Sequence, residues 1–231
     1  MPLIDFIGTI VLTGVMIVNV NAVISTLAVS RAQRLGLAAG VGLWIGLQVA
    51  LASAGAYRAG IPYIGISATA PLVAALIAVR YAEGFRHALL AAPTSLLVGL
   101  NVNRIFGVFF LLLAAAGRLG GPFPQSAGWG DILVGAFALP LAIMIARGRA
   151  RSGSIVAWNV FGMVDLLAAV GLGLLSAPGS PVQVIDAGVG SSAVTALPWV
   201  LIPTVLVPFY LIVHAVVFAQ VRMTGTVSAS A

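Results

Sequence analysis

No cysteine and no lysine occur anywhere in this chain, and only 7% of its 231 residues are charged. Without cysteine there are no disulfides, thiolate metal sites or cysteine nucleophiles. Without lysine there is no Schiff-base pigment and no lysine-dependent chemistry. Soluble domains place roughly 25% of their residues in charge, so this chain has too little to cover a water-exposed surface. Acids are scarcest: Asp5, Glu83, Asp131, Asp165 and Asp186 are too scattered for a di-metal carboxylate centre. HExxH, GxSxG and glycine-rich phosphate-loop patterns are missing as well. The sequence therefore points away from an enzyme and predicts no metal site.

What the chain does have is apolar length: 61% of its residues are hydrophobic. A hydrocarbon core of about 30 Å asks for roughly 20 apolar residues per helical span. Breaks rich in Arg, Gly and Pro divide the chain into seven such runs, about 4–29, 35–56, 62–80, 95–118, 131–147, 154–175 and 197–221. The expectation is an all-α, polytopic integral membrane bundle of seven helices, one domain over residues 1–231. No cation precedes Arg31, so the first run reads as a retained span rather than a secretory signal.

The net charge of +6 comes entirely from arginines between apolar runs. It reads as a topology signal, and no nucleic-acid partner is expected. With the N-terminus outside and the C-terminus in the cytoplasm, Arg31, Arg34, Arg80, Arg86, Arg104, Arg147, Arg149, Arg151 and Arg222 fall inside, and only Arg58 and Arg118 outside. That bias obeys the positive-inside rule. The apolar stretch 105–117 covers only about 20 Å as a helix, so span four has to start near Pro93. This draws Asn101, Asn103 and Arg104 into the membrane.

Intramembrane polar groups are costly and mark function by default. Counting about 1.5 Å per residue from the cytoplasmic end, Asp165, Asn19 and Tyr210 lie near 16 Å. Arg104 and His214 lie near 9–10 Å, Asn159 near 8 Å and Gln48 near 20 Å by the same count. Tyr210 and His214 are four apart and share a face of span seven. Pro198, Pro203 and Pro208 free carbonyls in that span, which need partners in lipid. The expected site is a water-accessible half-pocket open to the cytoplasm. Asp165 is its innermost group and Tyr210 the nearest partner, with His214, Arg104, Asn159 and Asn19 completing the solute or proton pathway. Plainer roles compete: Arg104 snorkelling to headgroups, Asn19, Asn21 and Asn159 as inter-helix glue, and Asp131 as the N-cap of span five. Gly36 with Gly40, and Gly42 with Gly46, have the spacing of close helix packing within the bundle or across a homo-oligomer. The connection 176–196 reads as a mobile loop.

The segments "PTSLLVGLNVNRIFGVFFLL", "GWGDILVG", "WNVFGMVDLL" and "PWVLIPTVLVPFYLIVH" together resemble a group of small bacterial multi-spanning membrane proteins of unknown function. The resemblance covers the C-terminal half and implies a bacterial inner-membrane setting without a mechanism. Three functions fit the sequence. The first is a small-solute or proton-coupled permeation protein. The second is a non-catalytic subunit or scaffold with a membrane-complex partner. The third is a redox protein carrying haem through His214. The surrounding lipid bilayer is the one partner common to all.

Overall fold

In the computed structural model, residues 2–59 and 61–229 are described; Met1, Gly60, Ser230 and Ala231 of the 1–231 domain lie outside the described residues. The chain folds as helices α1 (Leu3–Thr26), α2 (Arg31–Ser53), α3 (Ile61–Tyr81), α4 (Glu83–Leu90), α5 (Thr94–Gly99), α6 (Val108–Ala115), α7 (Phe123–Ala146), α8 (Ser152–Leu175) and α9 (Val207–Ala229). A 3₁₀ segment, Leu100–Gly107, joins α5 to α6, and a π segment, Ile202–Leu206, leads into α9. Seven of these stretches are long and apolar enough to cross a membrane, among them Thr94–Ala115 as one composite span. The architecture is an all-α, multi-pass membrane bundle.

The helix ends follow local chemistry. Ser30 caps α2 in a reciprocal box with Gln33, satisfying two orphan N–H groups. Pro93 opens α5. Helix α7 begins at Phe123, well before the 131 expected, because Pro122 and Pro124 suit the first turn of a helix. Pro208, in the first turn of α9, cannot donate to the Thr204 carbonyl of the π segment. That freed oxygen accepts instead from the Trp44 indole N–H at 3.1 Å, tying α2 to α9.

Two faces differ sharply. Arg31, Arg34, Arg80, Arg86, Arg147, Arg149, Arg151 and Arg222 sit at helix ends on one side, called here the arginine-rich face. The opposite, loop face carries residues 176–201. There Arg118 and Trp199 both donate to Asp5, at 2.6 and 2.8 Å, joining the start of α1 to the end of α6 and the approach to α9. The 176–196 connection, expected to be mobile, is folded down: Gly120 donates to the Gly190 carbonyl at 2.8 Å and Ser191 to that of Gly173 at 2.7 Å.

Inside the bundle, two apolar layers bracket a polar one. Leu12, Phe109, Phe110, Leu113, Phe123 and Trp199 pack toward the loop face. Leu27, Leu97, Val98, Ala138, Val213 and Val217 pack toward the arginine-rich face. Between them α7 lies almost backbone to backbone on the 3₁₀ segment. A Cβ at Gly135 would stand 2.6 Å from the Ile105 nitrogen, and one at Gly128 3.2 Å from the Gly107 carbonyl. Small residues permit such approach, and buried packing stabilises helices that gain little from lipid exclusion. By contrast, a Cβ at Gly36, Gly40, Gly42 or Gly46 would meet nothing within 4 Å. The expected intrachain packing at those four glycines is therefore not what they do. Of the α2 side chains only Gln48 is buried, held by Tyr57, which also bonds Ser67 of α3.

This contrast is testable. Gly135→Leu should cost about 1–3 kcal/mol or more through overpacking, while Gly42→Leu should leave stability unchanged. Thermal unfolding of the detergent-solubilised protein checks both; equal melting points for the two variants would contradict the close α7 contact.

Candidate functional site

Arg104 stands at the centre of the polar layer, on the 3₁₀ segment. Three residues per turn put side chains at i and i+3 in line, and the buried residues of the segment include Asn101, Arg104 and Gly107. Arg104 is 3% exposed, so it does not snorkel to headgroups as one reading of the sequence had it. Its Nε donates to Asp131 Oδ1 at 2.6 Å and its Nη2 to Asp165 Oδ2 at 2.5 Å. Its Nη1 donates to the Gly162 carbonyl at 3.3 Å and meets His214 Nε2 at 3.2 Å. One guanidinium thus bridges α7, α8 and α9.

The His214 tautomer follows from its partners. A guanidinium nitrogen only donates, so Nε2 accepts, and the ring proton lies on Nδ1. From there it donates to Asn159 Oδ1 at 2.8 Å, while Asn159 Nδ2 donates to the His214 carbonyl at 3.0 Å. The ring also packs against Trp158, whose indole donates to the Val134 carbonyl at 3.1 Å. His214 is fully buried. With Nδ1 held by Asn159 and Nε2 by Arg104, it presents no free nitrogen for an axial bond. The other histidine, His87, lies exposed beside Glu83.

A second branch reaches α1. Asn103 Nδ2 donates to Asn19 Oδ1 at 2.8 Å, and Asn19 Nδ2 donates to the Tyr210 hydroxyl at 2.9 Å. The Arg104 guanidinium lies 5.8 Å from the centre of the Tyr210 ring, a cation–π distance. Asp165, His214, Tyr210, Arg104, Asn159 and Asn19 therefore belong to one connected network drawn from five spans. Asp165 pairs with Arg104, not with Tyr210.

Sequence reasoning missed Asp131 and Asn103. Asp131 is no N-cap: it lies inside α7 and holds Arg104. The available signal was its glycines. A Cβ at Gly107 would collide with Asp131, one at Gly130 with the Asp165 carboxyl, and one at Gly162 would stand 2.5 Å from His214. Asn21 is not inter-helix glue; it bonds the Ile17 carbonyl of its own helix on an exposed face.

Two spaces adjoin the network. A cavity of about 40 Å³ is bounded by Asn103, Arg104, Asp131 and Tyr210 with Leu12, Phe106 and Phe110 around it. It has room and polar partners for roughly one to three waters. The expected wet half-pocket toward the cytoplasm is instead an apolar cleft of about 580 Å³ between α1, α2, α3 and α9, which meets the network only at Asn19. Its walls are hydrocarbon because Val20, Val23, Leu37, Val41, Pro71 and Ala74 turn into it.

Every charged and ring-bearing member of the network falls between residues 104 and 214. A family model described as Domain of unknown function (DUF8737) matches residues 61–222. The chain belongs to this family. The DUF8737 match takes in α3 to α8 and the spanning part of α9, together with Arg104, Asp131, Asp165, Asn159, Tyr210 and His214; Asn19 and Trp44 lie before it. No curated protein and no solved structure matches the chain. Among the described residues no group of three or more His, Asp or Glu side chains could hold a metal ion.

Removing one partner of a buried ion pair leaves an uncompensated charge and costs about 3–5 kcal/mol, whereas removing all partners is often tolerated. Arg104→Met should accordingly be strongly destabilised, and Arg104→Met combined with Asp131→Asn and Asp165→Asn should regain most of the loss. Denaturant unfolding in mild detergent reads the difference; a single variant as stable as the parent would mean the triad holds nothing together.

Proposed function

We propose that this protein is a proton-coupled permeation protein of the bacterial inner membrane, with the Arg104–Asp131–Asp165 triad as its proton-bearing element. The carrying observation is that two carboxylates share one guanidinium in mid-span, beside a cavity large enough for water. With both acids ionised the triad carries one negative charge; with one proton added it is neutral. An ionisable group that can alternate between those states inside a membrane is the substance of a proton relay. The neutral His214 has a supporting part: held by Asn159, it fixes Arg104 between the acids. Tyr210 and Asn103 line the cavity and supply hydroxyl and amide groups to any water in it.

Orientation is part of the same reading. Eight arginines on one face against Arg58 and Arg118 near the other favour an arginine-rich cytoplasmic side, with the N-terminus outside. Arg104 no longer enters that tally, being buried at mid-bundle, and the bias survives its removal.

A second reading, a non-catalytic membrane subunit or an oligomer, is favoured by α2, whose Gly42 and Gly46 face no atom of the chain. It predicts no flux from the isolated protein.

Proteoliposomes loaded with a pH-sensitive dye, with a potassium-diffusion potential imposed, separate these readings. The parent protein should acidify or alkalinise the lumen according to the sign of the potential. Asp165→Asn and Asp131→Asn should fall to the level of protein-free liposomes. Flux undiminished in both variants would sink the relay, and a parent protein with no flux would favour the subunit.

A further inference from the structure

The apolar cleft between α1, α2, α3 and α9 takes no part in the proton reading. Its dimensions and surroundings are specific. From Gln33 at its mouth to Trp44 at its blind end is eleven residues of α2, about 16 Å of helix. Half of a bilayer's hydrocarbon core is about 15 Å. The cleft is therefore one leaflet deep. It ends where Trp44 bonds the Thr204 carbonyl and where Asn19 bonds Tyr210. An apolar space of about 580 Å³ inside a membrane is a poor host for water and a good one for hydrocarbon.

The mouth adds a charge requirement. The cleft continues through Leu37, Gly40, Val41 and Phe85 into a second space of about 440 Å³ that reaches Val29 and Gln33 on the arginine-rich face. In the chain, Arg31 and Arg34 flank the lining residue Gln33 in the first turn of α2, Arg86 follows the lining residue Phe85 on α4, and Arg80 stands in the last turn of α3 on the same face. The Arg34 guanidinium is anchored at the α1–α2 turn by the Leu27 carbonyl at 3.3 Å. The acid on α4 is Glu83, paired with Arg86 at 3.2 Å. A hydrocarbon slot one leaflet deep under a strongly cationic rim matches one molecular type.

We propose that the cleft holds one acyl chain of an anionic phospholipid of the surrounding bilayer, with its phosphate among Arg31, Arg34, Arg80 and Arg86. The site is independent of the proton reading: it requires neither Asp131 nor Asp165, and proton flux is not its readout.

Trp44 lines the cleft and reports on it. Trp158 and Trp199 are buried and Trp129 is 55% exposed, so the experiment uses full-length protein carrying Trp129→Phe. The same protein with Trp44→Phe serves as the blank. Vesicles are of phosphatidylcholine with a minor fraction of either phosphatidylglycerol or phosphatidylcholine brominated at mid-chain. Brominated phosphatidylglycerol should quench Trp44 as though locally enriched roughly fivefold or more, since each arginine near a membrane surface favours an anionic lipid. Arg34→Gln with Arg86→Gln should reduce that preference toward the phosphatidylcholine level. Gly40→Leu should lower quenching by both lipids to that of the blank; a Cβ at Gly40 meets open space, so the side chain enters the cleft without disturbing the fold. Equal quenching by the two brominated lipids in the parent protein would overturn the headgroup assignment. Quenching undiminished in Gly40→Leu, with an unchanged melting point, would overturn the chain site.

Discussion

A guanidinium buried among apolar helices has to be neutralised where it stands, and much of this bundle can be read as the means of doing so. Arg104 is buried away from bulk solvent, so α7 and α8 each bring it a carboxylate, and α8 and α9 supply acceptors for Nη1. Bringing that many groups to one point demands short backbone distances. The glycines at 107, 128, 130, 135 and 162 meet the demand, since a side chain at any of them would displace a member of the network or its supporting backbone. The apolar layers on either side then seal it, which strengthens each charge interaction by lowering the local dielectric.

The periphery obeys a looser rule. Helix α2 is tied to the rest by Trp44 and by the Gln48–Tyr57–Ser67 knot near the loop face, and it parts from α3 toward the arginine-rich face. The molecule thus has a dense electrostatic interior and an open apolar flank. The DUF8737 match follows the same division, beginning after α2.

The sequence carried the seven spans because hydrophobic length and the arginine breaks are strong signals with one physical cause, the thickness of the hydrocarbon core. Depth counting also placed Asn19 level with Tyr210 and Arg104 level with His214, and both pairs are in contact. It failed for Asp165 and Arg104, which were counted apart. The count placed backbones at α-helical rise, whereas the 3₁₀ segment climbs about 2.0 Å per residue and lifts Arg104 by about 2 Å; the length of the Arg104 side chain spans the rest of the gap to the acid. Asp131 was lost for a different reason. An acid after Gly-Trp-Gly looks like a helix start, and only the prolines at 122 and 124 show that the helix is already running. Which helices would be neighbours, and hence the cleft, was beyond the sequence, because a period along one helix says nothing about the helix it faces.

The 3₁₀ segment has a mechanical meaning. An α-helix turns about 100° per residue and a 3₁₀ helix about 120°. Over the eight residues Leu100–Gly107, the difference amounts to about 160° of winding and about 4 Å of length. The composite span is therefore an overwound screw, clamped at its midpoint by the bonds of Arg104. Any event that loosened the clamp, such as protonation of a carboxylate that holds it, would let α5 and α6 counter-rotate and the span shorten.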